Sequence, residues 1–127
     1  HFLLRRQRQM CIRDRIFVGG GLGAGSRFFL SNILNNLSIF GFAASTLLIN
    51  IAGCLLIGFL MSEEIFSSKS LQLFFGVGFL GSFTTFSTFT KEAIIFYEQI
   101  GILESFLYLF MTLFLCLLST YLSYKFF

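Results

Sequence analysis

Polar side chains set inside apolar stretches are the places where this chain can do chemistry. They are Arg27, Thr46, Asn50, the run Thr84 to Thr90 and, nearer the C-terminus, Tyr108, Thr112, Cys116 and Ser119. The run reads Thr-Thr-Phe-Ser-Thr-Phe-Thr, five hydroxyls around Phe86 and Phe89, and it follows Gly76, Gly78 and Gly81. Bond-making chemistry has little to work with. His1 is the only histidine, and there is neither a Gly-rich phosphate loop nor a Ser/His/Asp set. An enzyme is not expected. Cys11, Cys54 and Cys116 give an odd count with no disulfide framework or metal spacing, and they read as small packing residues.

Composition says where these polar groups sit. Of 127 residues, 56% are hydrophobic and 12% charged, 20 are Phe, and Pro and Trp are absent. Soluble domains carry about 25% charged residues. With a mean hydropathy of +0.85, the chain lacks the polar surface a water-soluble globule needs. An all-α integral membrane protein of one domain is expected.

The net charge of +3 is concentrated at one end, since Arg5, Arg6, Arg8, Arg13 and Arg15 supply five of nine basic residues. Residues 1–15 show no apolar periodicity. They read either as a basic arm beside anionic lipid or as a translated sequencing adapter joined to the reading frame, the reading preferred here. A cleavable signal peptide is not favoured, because the following apolar stretch is too long and contains Arg27. The remaining residues, 16–127, form a single transmembrane domain.

About 20 apolar residues span a bilayer, and four segments qualify: 16–34 with Arg27, 42–61 with no charge, 71–97, and 102–124. Short connections, NNLSIFG, SEEIFSSKS and EQIG, join them. The third segment is too long and too glycine-rich for a plain helix, because Gly weakens a helix interior by about 1 kcal/mol relative to Ala. A break is expected near Gly81 to Thr84. Broken helices survive in membranes where freed carbonyls find partners, and their half-helix ends can meet ions. Four such spans are too few to enclose a pore alone. Small residues such as Gly19, Gly23, Gly53 and Gly58 permit close helix approach, so an oligomer is expected. Outside residues 1–15, the loop-side basics Lys69, Lys91 and Lys125 show no strong bias. The positive-inside rule then sets no orientation, which suits an antiparallel homodimer.

The segments GGGLGAGSRFF, STLLINIAGCLLIG and GFLGSFTTFSTFTKE, in this order and spacing, resemble the Fluc-type fluoride channels, the CrcB family. The likeness covers Gly19 to about Gly101, and the fourth segment agrees in length, hydrophobicity and polar spacing. It implies an antiparallel, dual-topology homodimer in the plasma membrane of a prokaryote, with two fluoride pores and a structural sodium ion at its centre. The third helix would be broken at mid-membrane.

Carried over by residue, the resemblance places the sodium ligands on the backbone carbonyls of Gly81 and Thr84. Two from each chain would give four oxygens for a hard cation. Its phenylalanine pair falls on Phe86 and Phe89, three residues apart and so on one helix face. Ring edges are positive and can meet a small anion. Asn50 would donate an amide hydrogen to it, with Thr46 one turn earlier. Ser87, Thr88 and Glu92 follow the family's pore pattern, and Tyr108, Thr112 and Cys116 form a stripe that could extend the polar track. Arg27 matches the family's arginine at a vestibule; a snorkelling interfacial arginine is the other reading. Any single Ser or Thr could instead bond back to its own helix.

The implied function is passive export of cytoplasmic fluoride, which confers fluoride resistance on the cell. Weak, multiple contacts let an anion leave as well as arrive. Two other readings compete. A small dual-topology multidrug exporter needs a carboxylate in its first span, where this chain has Arg27 and no acid. A membrane assembly subunit would explain the hydrophobicity but not the hydroxyl and phenylalanine cluster.

Overall fold

Within lipid a backbone must satisfy its own hydrogen bonds, and side chains as apolar as these do so as helices. A computed structural model, which describes residues 2–35, 38–39, 42–62 and 68–127, shows that outcome. Helix α1 runs Phe2–Leu34 and α2 runs Ala44–Ser62. A short α3, Lys69–Leu71, leads into a π-helical segment, Gln72–Leu80, and then α4, Gly81–Phe83. Helix α5 is Phe86–Gln99 and α6 is Ile102–Phe126. Among the described residues, Ala44–Ser62, Lys69–Gln99 and Ile102–Phe126 are long and apolar enough to cross a membrane. At about 1.5 Å per residue, each covers a hydrocarbon core of about 30 Å.

Three features depart from expectation. The helix holding the first expected span starts at Phe2, not near Ile16, and is not among the three apolar spans. Its basic N-terminal third and Arg27 dilute its hydropathy, while Arg and Gln are good helix formers and carry it on without an apolar face. A small antiparallel β-ribbon precedes α2, pairing Ser38 with Ala43 and Ile39 with Phe42. The run before the break is π-helical, and Gly81 N–H reaches back five residues to Gly76 O. Of the expected connections, residues 36–37, 40–41 and 63–67 lie outside the described residues.

Close packing rests on glycine where α1 meets the π-helical segment. A Cβ on Gly23 would drive into the Phe79 carbonyl oxygen, and one on Gly78 would meet Ile16 O at 3.0 Å. Without a hydrophobic drive between helices in lipid, such approach is what gains dispersion contact. Helix α6 is held on both sides by hydroxyls. Ser123 Oγ donates to Leu55 O at 2.7 Å on α2, and Ser105 Oγ donates to Ala93 O at 2.7 Å on α5. The turn from α5 to α6 passes through Gly101 at φ 155°, a conformation glycine tolerates best.

Burial is inverted relative to a soluble protein. Ser45, Thr46, Asn50, Ser105, Thr112 and Ser123 are buried, whereas Phe17 is 83% exposed. Among the buried apolar residues, Phe89, Ala93, Phe96 and Tyr108 pack into one cluster. A polar interior under an apolar exterior suits lipid as solvent, where inward polar groups mark the functional path.

Candidate functional site: the helix break and its two grooves

The third span opens at Thr84 and Thr85, whose backbones are extended at φ −81°, ψ 150° and φ −142°, ψ 121°. The opening falls at the C-terminal end of the expected interval and one residue beyond it. Asn50 on α2 holds it open. Its Oδ1 accepts from Thr85 N–H at 3.0 Å, and its Nδ2 donates to Thr85 O at 3.3 Å. The amide thus satisfies both backbone groups of one residue, as a neighbouring peptide would. Thr85 Oγ1 then caps α5 by accepting from Thr88 N–H at 3.3 Å. Helix α2 passes so close that a Cβ on Gly53 would collide with Thr84 Cγ2.

These bonds redirect two donors. In an unbroken helix Thr85 N–H would serve the Gly81 carbonyl and Thr88 N–H the Thr84 carbonyl. Asn50 Oδ1 and Thr85 Oγ1 take them instead. Thr84 itself stays tied backward, with N–H to Leu80 O at 3.1 Å and Oγ1 to the same oxygen at 3.0 Å. The carbonyls of Gly81 and Thr84 are therefore released from their α-helical donors. Around Gly81 a Cβ would find only Gly76 O, 3.8 Å away.

A groove of about 190 Å³ lies on one side of the break. Asn50, Thr84, Phe86, Phe89 and Thr112 line it, joined by Cys54, Thr85, Leu113 and Cys116. The Phe86 and Phe89 rings are 5.4 Å apart and tilted by 55°. They differ in burial, Phe86 being 70% exposed and Phe89 2%. Thr112 Oγ1 is buried and, among the described residues, has no partner at hydrogen-bond geometry. A second cavity of about 140 Å³ is lined by Arg27, Ser31, Thr46, Thr85 and Thr88 among others. The buried Arg27 Nε is also without a hydrogen-bond partner among the described residues. Thr85 borders both spaces.

Glu92 ties three helices together. Its Oε1 accepts from Thr46 Oγ1 at 2.7 Å and its Oε2 from Tyr108 OH at 2.6 Å. The Tyr108 ring packs on Phe89 at 5.5 Å and edge-on against Phe96 at 4.9 Å. Ser87 lines neither space; its hydroxyl lies 3.1 Å from Thr85 Oγ1. Sequence reasoning missed Thr85 as the junction residue, although a threonine just before a helical run is a capping signal. It also left Cys54 as mere packing.

Residues 15–124 match the model of the CrcB-like protein family, described as Camphor Resistance (CrcB). The chain belongs to the CrcB family. It is 33% identical over 108 residues to the fluoride-specific ion channel FluC of Idiomarina loihiensis, covering 84% of each chain. Likeness to FluC of Campylobacter lari is 37% over 113 residues, 86% of this chain and 91% of that one. To FluC of Ruminiclostridium cellulolyticum it is 47% over 81 residues, 61% of this chain and 62% of that one. Membership makes this a multi-pass membrane protein.

Proposed function

We propose that the chain is a fluoride-selective channel that lets cytoplasmic fluoride leave the cell down its gradient. The observation that carries this reading is the Asn50–Thr85 junction opening onto the groove lined by Phe86, Phe89 and Thr112. Fluoride must exchange its water shell for other donors. Asn50 has two amide hydrogens; one is engaged by Thr85 O, and the second is available to an anion in the groove. The Thr112 hydroxyl and the edges of the two rings add weak positive contacts. Among the described residues no lysine or arginine lines this groove, so none of them places a fixed positive charge there to trap the ion. Arg27, bordering the second cavity with Thr46 and Thr88, raises the local concentration of anions.

Glu92 acts as a strut. Both of its oxygens are occupied by Thr46 and Tyr108, so it fixes those hydroxyls and their helices around Phe89. The hydroxyl hydrogens of Thr46 and Tyr108 are committed to Glu92.

The working unit in this reading is an antiparallel homodimer, with α1 crossing the bilayer as a fourth span. Gly81 faces open space in the single chain, and its carbonyl and that of Thr84 have lost their helical donors. Backbone oxygens of this kind suit a hard monovalent cation. Two such pairs, one per chain, would hold a structural sodium ion and neutralise the carbonyl dipoles where the chains meet.

The test is fluoride efflux from liposomes carrying the purified protein, read with a fluoride electrode. Efflux far above that of protein-free vesicles, with little chloride released, supports the channel. Efflux equal to that of protein-free vesicles would overturn it.

A further inference from the structure

Two thiols come together on the wall of the Asn50–Phe89 groove. Cys54 belongs to α2 and Cys116 to α6, and both are half-buried free cysteines lining that space. Their backbones are clamped by one side chain. Thr120 Oγ1 lies 3.2 Å from Cys54 O and 3.1 Å from Cys116 O. One turn further, the Ser123 bond to Leu55 O at 2.7 Å holds the same two helices in register. A Cβ at Gly58 would meet Ser123 Cβ at 2.9 Å, so these helices pack tightly beside the pair. Both side chains line one groove, at the level where Thr120 joins the two helices. Thr112, one turn before Cys116, brings its unpaired buried hydroxyl to the same groove.

We propose that Cys54 and Cys116 form a two-thiolate site for a soft monovalent metal cation of the Ag(I) or Cu(I) type. Thiolate sulfur selects such ions over hard cations. Two thiols are the donor number a two-coordinate closed-shell ion takes, and the described residues hold no cluster of three or more His, Cys, Asp or Glu that would suit zinc. On binding, each thiol loses its proton to solvent and one sulfur–metal bond forms at each sulfur, with no change of oxidation state. A neutral dithiol and a cation of charge +1 thus become a bis-thiolate complex of charge −1 and two released protons. The complex occupies the groove and presents negative charge to an arriving anion, so the bound metal closes the path. This consequence rests on the channel reading; the metal site itself does not.

Cys11 is exposed and remote in sequence, so the test uses a Cys11→Ala background. The reduced, desalted protein is exposed to silver nitrate in chloride-free buffer, gel-filtered, and its silver counted by elemental analysis. One silver per chain is expected, falling below one-tenth in Cys54→Ala and in Cys116→Ser. Fluoride efflux from liposomes of the background protein should drop at least tenfold with silver and recover on adding excess small-molecule thiol. No retained silver in the background, or the same amount in Cys54→Ala/Cys116→Ala, would overturn the site. Retained silver with undiminished efflux would overturn its place on the ion path. If the untreated protein moves no fluoride, the channel reading fails while the silver count still decides the site.

Discussion

Asn50 and Thr85, 35 residues apart, exchange two hydrogen bonds, Thr85 N–H to Oδ1 at 3.0 Å and Nδ2 to Thr85 O at 3.3 Å. One side chain thereby stands in for the helical partners that Thr85 gives up. The same pair sets the position of the break and keeps an amide hydrogen beside the groove. Structure and proposed conduction depend on one residue.

Asn50→Asp should cut fluoride efflux at least tenfold. The aspartate still accepts from Thr85 N–H but replaces the Nδ2 donor by an oxygen facing Thr85 O. An acceptor against an acceptor costs roughly 1–3 kcal/mol, and ionised it repels the anion. Efflux assays alongside thermal unfolding in detergent separate the two effects. Wild-type efflux from the folded variant would place Asn50 off the path.

Thr46→Val and Tyr108→Phe should couple through Glu92. Each removes one hydroxyl from a carboxylate that uses both oxygens, and each leaves that partly buried carboxylate less satisfied. Loss of either should cost about 1–2 kcal/mol. A double-mutant cycle on unfolding should give an interaction of at least ~0.5 kcal/mol. Strict additivity would show that Glu92 does not link α2 to α6.

Phe86→Ile and Phe89→Ile should both reduce flux sharply yet differ in stability. Phe86 is 70% exposed and should unfold like the parent, whereas Phe89 is 2% exposed and should lose about 1–2 kcal/mol. Isoleucine keeps apolar volume and removes the positive ring edge. Phe114→Ile, on α6 outside both cavities, is the control. Equal flux loss in all three, or none in the first two, would remove ring edges from the mechanism.

Gly23→Ala and Gly21→Ala should behave oppositely despite being neighbours in one glycine-rich stretch. A methyl at Gly23 strikes the Phe79 backbone, whereas one at Gly21 meets nothing within 4 Å. The first should destabilise by roughly 1–3 kcal/mol, and the second should be neutral or slightly stabilising. Thermal unfolding of both variants is the check. Equal melting temperatures would mean that α1 does not pack on the π-helical segment through this glycine.

The break was legible from local chemistry, because glycines followed by a dense hydroxyl run weaken a helix and supply a cap. Its register was not. Whether the chain opens at Gly81 or at Thr84–Thr85 depends on Asn50, which the sequence separates by 35 residues. The Thr46–Glu92–Tyr108 tie is equally non-local, and only the folded chain brings it together. The π-helical turns lie where α1 approaches closely at Gly23 and Gly78, a long-range contact that propensity alone does not announce. Residues 1–15 lack apolar periodicity, yet helix continuation needs no apolar face when Arg and Gln are the residues continued. Cys54 shows the limit most clearly. Nothing in its sequence neighbourhood links it to Cys116, and it is Thr120 of the folded chain that bonds both backbones.

The most direct measurement is the reversal potential across a planar bilayer holding the protein, with a tenfold gradient of potassium fluoride. A passive fluoride-selective path should carry current that reverses at about 59 mV, with the sign set by fluoride and not potassium. Replacing fluoride by chloride on both sides should abolish that current. A reversal near zero, a sign set by potassium, or an equal current in chloride would contradict a fluoride-selective channel.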